Sequence, residues 1–166
     1  MSDISIRPAT AADVPLVLEF IRELARYERL EDQVVATPAD LSAALFGPRP
    51  YAEVAFGCVA GVPVGFALFF HNFSTFIGKP GIYLEDLFVR PEARGHGVGR
   101  ALLAWLARVT LERGGARLDW AVLDWNTPSI GFYESLGAVP LDDWRVFRLS
   151  GASLSALART SADARS

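Results

Sequence analysis

Three glycines alternate through Arg94-Gly95-His96-Gly97-Val98-Gly99-Arg100, between an apolar run, Ile82 to Val89, and an amphipathic stretch, Arg100 to Arg113, that carries Leu102, Leu103, Leu106 and Val109. That order predicts a strand, a tight turn and a helix, with Gly114-Gly115 stopping the helix. Glycines leave their backbone N–H groups unshielded, and at a helix start those groups point outward and favour an anion. Arg94 and Arg100 add positive charge at the edges. No Gly-Lys-Ser/Thr follows, so this is not a Walker loop, and Arg100 stands where a dinucleotide fingerprint needs its third glycine. Read from the glycines alone, a flexible turn is the alternative. His96 reads as a solvated loop residue, because the backbone does the binding in such a loop.

Around this unit the patterns alternate between helix and strand. Ile4 to Arg7 predicts a first strand. Thr10 or Asp13 can cap a helix carrying Leu16, Phe20, Leu24 and Tyr27, with Pro15 near its first turn. Thr37-Pro38-Ala39-Asp40 starts a second helix, ended by Gly47-Pro48. Glu53 to Val59 and Val64 to Phe70 predict an antiparallel hairpin across a short turn. Asn72 to Gly81 reads as a loop, Arg117 to Leu123 as a strand and Asn126 to Leu136 as a helix closed by Gly137. Val146 to Leu149 reads as a last strand. A helix follows Ser150, and the final residues read as mobile. The expectation is one domain over 1–166 with an α+β (α/β mixed) sheet.

Composition narrows the function. With 166 residues, 51% hydrophobic and 21% charged, the chain can bury a sizeable core. A formal net charge of -3 lacks the basic footprint of a nucleic-acid binder. Cys58 is the one cysteine and His71 and His96 the two histidines, too few for a zinc site, so no metal is expected. The longest apolar stretches fall short of a membrane span, and Met1 to Ser5 has no basic or apolar leader character. No membrane partner and a cytoplasmic location are expected.

Glu85 and Asp86 interrupt the apolar run. Adjacent strand residues face opposite ways, so at least one acid is partly desolvated if both faces are covered. Desolvation raises a carboxyl pKa, which suits a base that works on an ammonium group. A structural ion pair or loop cap is the other reading. Asn126 and Ser129 can cap their helix or meet a ligand. Tyr133, Trp120, Trp125 and Trp144 read as core by default, and Cys58 as inert packing.

Together these segments resemble the GCN5-related N-acetyltransferases (GNAT), whose Arg/Gln-x-x-Gly-x-Gly/Ala signature matches Arg94 to Gly99. The resemblance extends to the diamine and thialysine acetyltransferase branch through Ile6 to Asp13, Tyr27-Glu28, Tyr83 to Asp86, Val122 to Asn126, Phe132-Tyr133 and Trp144 to Phe147, and it covers the chain to about Leu149. It implies a central, mostly antiparallel mixed sheet flanked by helices, with two splayed parallel strands forming an acetyl-CoA cleft. Leu87, Phe88 and Val89 would hold the pantetheine through main-chain atoms, and Gly95, His96, Gly97, Val98, Gly99 and Arg100 the pyrophosphate. Asn126 and Ser129 would contact the cofactor. Glu85 would accept the amine's proton, with Asp86 or a water as alternatives, and Tyr133 would protonate the leaving thiolate. Tyr27, Glu28, Asp86, Asp119, Trp120, Ala121 and Asp142 would lie at the amine end, in a homodimer.

The Asp-Pro-Trp loop of the polyamine-specific members corresponds to Ser74-Thr75-Phe76, and the missing carboxylate favours a small amine or lysine-like amino acid over spermine. A non-catalytic acyl-CoA-binding module, or a family enzyme acting on protein N-termini or antibiotics, are the competing readings.

Overall fold

The computed structural model describes residues 3–160. They fall into two compact units divided between Ala121 and Val122.

The first unit is built on a five-stranded mixed sheet in the order β1-β2-β3-β4-β5. Its strands are β1 (Ile4–Pro8), β2 (Glu53–Val59), β3 (Val62–Ser74), β4 (Lys79–Val89) and β5 (Leu118–Trp120). All neighbours are antiparallel except β4 and β5. Helices α1 (Val14–Tyr27) and α2 (Pro38–Phe46) belong to one face and α3 (Val98–Glu112) to the other. The expected Thr10 and Asp13 signals meet in a capping box that opens a 3₁₀ turn ahead of α1, and Arg7 holds Asp13 through two bonds of 2.8 and 2.9 Å.

Phe20 of α1 anchors the first face. Its ring lies 5.3 Å from Phe66, 5.9 Å from Phe56 and 6.5 Å from Phe88, all buried. Such aromatic clusters carry a large share of a core's transfer free energy. On the other face α3 comes close to β2 because Gly57 has no side chain: a Cβ there would lie 2.6 Å from Val98. Phe69 meets Trp105 of α3 edge-on at 5.8 Å.

Several boundaries differ from expectation. Asn72 to Gly81 is mostly strand, because Asn72, Phe73 and Ser74 pair with Gly81, Pro80 and Lys79 and leave only a four-residue turn, in which Gly78 takes a φ of 69°. Cross-strand pairing overrides the turn-like composition there. The strand expected over Arg117 to Leu123 shrinks to Leu118–Trp120, an edge strand paired with β4 over three residues.

The second unit holds α4 (Thr127–Ser135) and α5 (Gly151–Arg159), the latter the helix expected after Ser150. Val146 to Leu149 forms no strand: among the described residues no segment pairs with it, and Val146 and Phe147 are each 90% exposed. Trp125 and Trp144 are exposed rather than core. The end expected to be mobile lies, past Thr160, outside the described residues.

Candidate active site

The two acids of β4 sit at a break in the sheet. Leu84 pairs with Phe69 and Asp86 with Leu68, so Glu85 is an extra residue, a β-bulge. The bulge changes which face the strand presents. Leu84 is opposite Phe69, on the α3 face, whereas Asp86 is opposite Leu68, which packs on the α1 cluster. Tyr83 before the bulge stacks on Phe70 at 5.3 Å, and Phe88 after it packs on Phe20. Tyr83, Asp86 and Phe88 therefore share the α1 face, an arrangement that unbroken alternation would forbid.

Burial of Asp86 pushes its carboxyl up to about 7, with help from the negative charges of Glu85 and Glu28. Glu85 is exposed at the bulge. Glu28 caps the C-terminus of α1, and burial raises its pKa as well. The helix end is fixed by a Schellman arrangement: Leu30 N donates to the Ala25 carbonyl at 2.8 Å and Arg29 N to Arg26 at 3.2 Å. The left-handed position, with φ 61°, is filled by Arg29 instead of glycine. This strained end holds Tyr27 and Glu28 on the same face as Asp86.

Arg94 folds back from the glycine loop. Its Nε donates to the Val89 carbonyl at 2.8 Å, and its guanidinium lies 4.8 Å from the Tyr27 ring centroid and 5.4 Å from that of Phe88. The loop itself leaves its backbone donors open. Gly95 and Gly97 take φ values of 76° and 90°, open to glycine without strain. The first helical bond of α3 runs from Ala101 N to Gly97 O at 2.9 Å. The N–H groups of residues 95–100 make no hydrogen bond among the described residues. His96 and Arg100 are exposed beside them, while Val98 is buried against the sheet.

The pairing of β4 with β5 ends at Leu84 and Trp120, and Glu85 to Val89 have no strand partner on that edge among the described residues. Of Leu87, Phe88 and Val89, the Val89 carbonyl is taken by Arg94 and the Phe88 carbonyl lies against Gly65 of β3, and the remaining main-chain groups on this edge have no strand partner among the described residues. Asp119 lies opposite Tyr83, forms an ion pair with Arg117 (Nε to Oδ2, 2.9 Å) and accepts from Asn72 Nδ2 at 3.1 Å. Trp120 is half-buried and Ala121 exposed. Ser74 is buried and its hydroxyl accepts from Ile77 N at 3.3 Å, so the β3–β4 turn supplies no carboxylate. Asn72 and Arg117 were not singled out by sequence. Neither belongs to a motif, and only the strand register brings them to Asp119.

In the second unit, buried Asn126 caps α4 by accepting from Ser129 N at 3.4 Å. Tyr133, half-buried, lies with its ring 5.5 Å from that of Phe132. Asp142 is exposed on an irregular stretch. Cys58 is buried and burial raises its thiol pKa, which makes it a poor nucleophile. Among the described residues no group of three or more His, Cys, Asp or Glu could hold a metal, and no helix is long and apolar enough to cross a membrane.

Three comparisons bear on this geometry. Along 95% of its length the chain is 37% identical to a thialysine N-epsilon-acetyltransferase of Bos taurus, 99% of which is covered. It is 32% identical over 92% of its length to an L-ornithine N5-acetyltransferase of Arabidopsis thaliana, with 86% of that protein covered. Among solved structures, an integron cassette protein from Vibrio cholerae superposes with a TM-score of 0.79 at 27% identity, covering 96% of this chain and 99% of that one. Residues 18–138 match the model of the Acetyltransferase (GNAT) family, and with the mixed sheet, the bulged acidic strand and the glycine loop in place, the chain belongs to that family of acetyltransferase enzymes.

Proposed function

We propose that this enzyme moves an acetyl group from acetyl-CoA, the cosubstrate of its family, directly onto the primary amine of a small molecule, a lysine-like amino acid or a diamine. The observation that carries the reading is the bulge at Glu85. It sets a half-buried acid, Asp86, and an exposed one, Glu85, on the strand that runs into the open helix start of α3.

The chain's own residues divide the work. The N–H groups of residues 95–100 hold the pyrophosphate at the positive end of α3, and the free edge of Leu87 to Val89 holds the pantetheine. Asn126 and Ser129 add cofactor contacts. Glu85, with Glu28 and Tyr27, holds the incoming ammonium. Asp86 takes its proton, because a carboxyl tuned to about 7 suits a base at neutral pH better than an exposed glutamate does. The neutral amine then attacks the thioester carbonyl, the carbon–sulfur bond breaks, Tyr133 gives its hydroxyl proton to the thiolate, and the second proton on the acetylated nitrogen restores the Tyr133 hydroxyl. This shifts the base from Glu85, the position the family resemblance implies, to its neighbour. Asp86→Asn should lower kcat by about a hundredfold and Glu85→Gln should act mainly on KM; the reverse pattern would return the role to Glu85.

The family match spans both compact units, which supports one catalytic domain. The exposed apolar side chains Val139, Leu141, Trp144, Val146 and Phe147 support a homodimer that buries them. Sedimentation should show two chains per particle. A cytoplasmic location accompanies a substrate such as acetyl-CoA.

A further inference from the structure

Two acids on β4 account for an amine, but not for the molecule that carries it. The rest of the α1 face speaks to that molecule. Gly81 precedes Tyr83 by two residues and so shares its face. A Cβ on Gly81 would meet Asn72 Oδ1 at 2.4 Å and Arg117 Cγ at 3.1 Å, so both side chains lie on this face, beside Asp119.

The contacts within the group are one-sided. Oδ2 of Asp119 accepts from Asn72 Nδ2 and is the atom that forms the ion pair with Arg117 Nε. Oδ1 of Asp119 and the two terminal nitrogens of Arg117 make no hydrogen bond or ion pair among the described residues. The two side chains are 31% and 41% exposed. Asn72 Oδ1 is buried without a partner among those residues. Turning the amide over would aim its oxygen at the Asp119 carboxylate, so Asp119 dictates its orientation. A buried acceptor left unpaired is unfavourable, and an ordinary surface ion pair requires no such support. The cluster thus holds one carboxylate edge and one guanidinium edge side by side and outward. A zwitterion, ammonium beside carboxylate, matches that pair of edges.

The spacing to the acids also fits. Asp119 is level with Tyr83, which pairs with Phe70, and Asp86 pairs with Leu68. Two residues of β3 separate these levels, about 7 Å at roughly 3.4 Å per residue. β5 lies a further strand spacing of about 4.8 Å from β4, so the two positions are about 8–9 Å apart, which a lysine-like side chain of about 6 Å spans with a hydrogen bond at each end.

We propose, on the basis of the amine-acetyltransferase reading above, that Arg117 and Asp119 bind the α-carboxylate and α-ammonium of an amino-acid substrate whose side-chain amine reaches Asp86. Asn72 is a positioning residue for Asp119. A diamine of equal length would still reach Asp119 with its second ammonium but would leave the Arg117 guanidinium without a carboxylate partner.

The test is initial-rate kinetics on L-lysine, L-lysinamide and cadaverine, and on L-ornithine with putrescine, for the native enzyme, Arg117→Gln and Arg117→Lys. The native enzyme should favour each amino acid over its diamine by at least about tenfold in kcat/KM, and lysinamide should lose about tenfold against lysine. Arg117→Gln should raise the lysine KM about tenfold with little change in kcat and should erase the preference, and Arg117→Lys should restore part of it. Equal kcat/KM for lysine, lysinamide and cadaverine in the native enzyme would overturn the proposal, with no variant needed. So would an equal loss on both substrate classes in Arg117→Gln. Transfer to none of these amines would instead sink the amine-acetyltransferase reading itself.

Discussion

Asn72 reaches from β3 across the bare backbone of Gly81 to donate its amide to Asp119 on β5, at 3.1 Å. Three strands are tied together on one face by this contact, and it exists only because position 81 has no side chain. Gly81→Ala would place a Cβ 2.4 Å from Asn72 Oδ1 and 3.0 Å from the Arg117 carbonyl, a backbone atom that cannot swing away. Overpacking of this kind costs about 1–3 kcal/mol. Thermal denaturation should show the loss, and the KM for an amino-acid substrate should rise with it. A variant as stable as the native protein would show that Asn72 is not held over Gly81.

Asp86 links activity to pH. Its carboxyl sits at about 7 in the free enzyme, so kcat/KM should climb with pH and level off above about 7. Asp86→Asn should flatten that limb as well as lower the rate.

Stability should move the opposite way at the same residue. The folded-state pKa is raised above the ordinary 3.8, so between about 4 and 7 the folded chain keeps a proton that the unfolded chain releases. Folding stability from this group is full below about 4 and declines as pH rises through about 7. Asp86→Asn removes the decline, and its Tm at pH 8 should exceed the native value by a few degrees. A lower Tm at pH 8 would show that the carboxylate is well solvated or paired.

Arg29 occupies a left-handed position at φ 61° in the turn that ends α1. Glycine adopts that conformation without strain, so Arg29→Gly should stabilise the fold by up to about 1 kcal/mol, measured by denaturant titration. If the strain serves to hold Tyr27 and Glu28, the amine KM should rise in the same variant.

Gly97 caps α3 at φ 90°, where an alanine Cβ would have ample room, 3.8 Å from Ile4, but a strained backbone. Gly97→Ala should therefore disturb the loop more than the core. Calorimetry should show acetyl-CoA binding weakened about tenfold with Tm nearly unchanged. Unaltered binding would remove the loop from the cofactor site.

Much of this architecture was legible in the chain. The phenylalanines of α1 and the hairpin strands, the helix starts at Thr10, Thr37 and Asn126, and the glycine turn into α3 all follow from local rules of spacing and capping. The bulge at Glu85 was not legible. Nothing in Tyr83-Leu84-Glu85-Asp86 shows that the strand slips one residue against β3, yet that slip decides which acid is buried. Asn72 and Arg117 escaped for a similar reason, since their meeting at Asp119 depends on the register of three strands and on a sequence separation of 47 between Asn72 and Asp119. Val146 to Leu149 misled in the other direction: an apolar run is strand-like, but a strand needs a partner edge.

The central claim is acetyl transfer to a small amine, and its most direct measurement is free thiol released from acetyl-CoA on adding thialysine, L-lysine, L-ornithine, putrescine or spermidine, with the product identified by mass spectrometry. Release should depend on the added amine, place one acetyl group on its terminal nitrogen, and drop sharply in Tyr133→Phe. No amine-dependent release from any of them would contradict the claim.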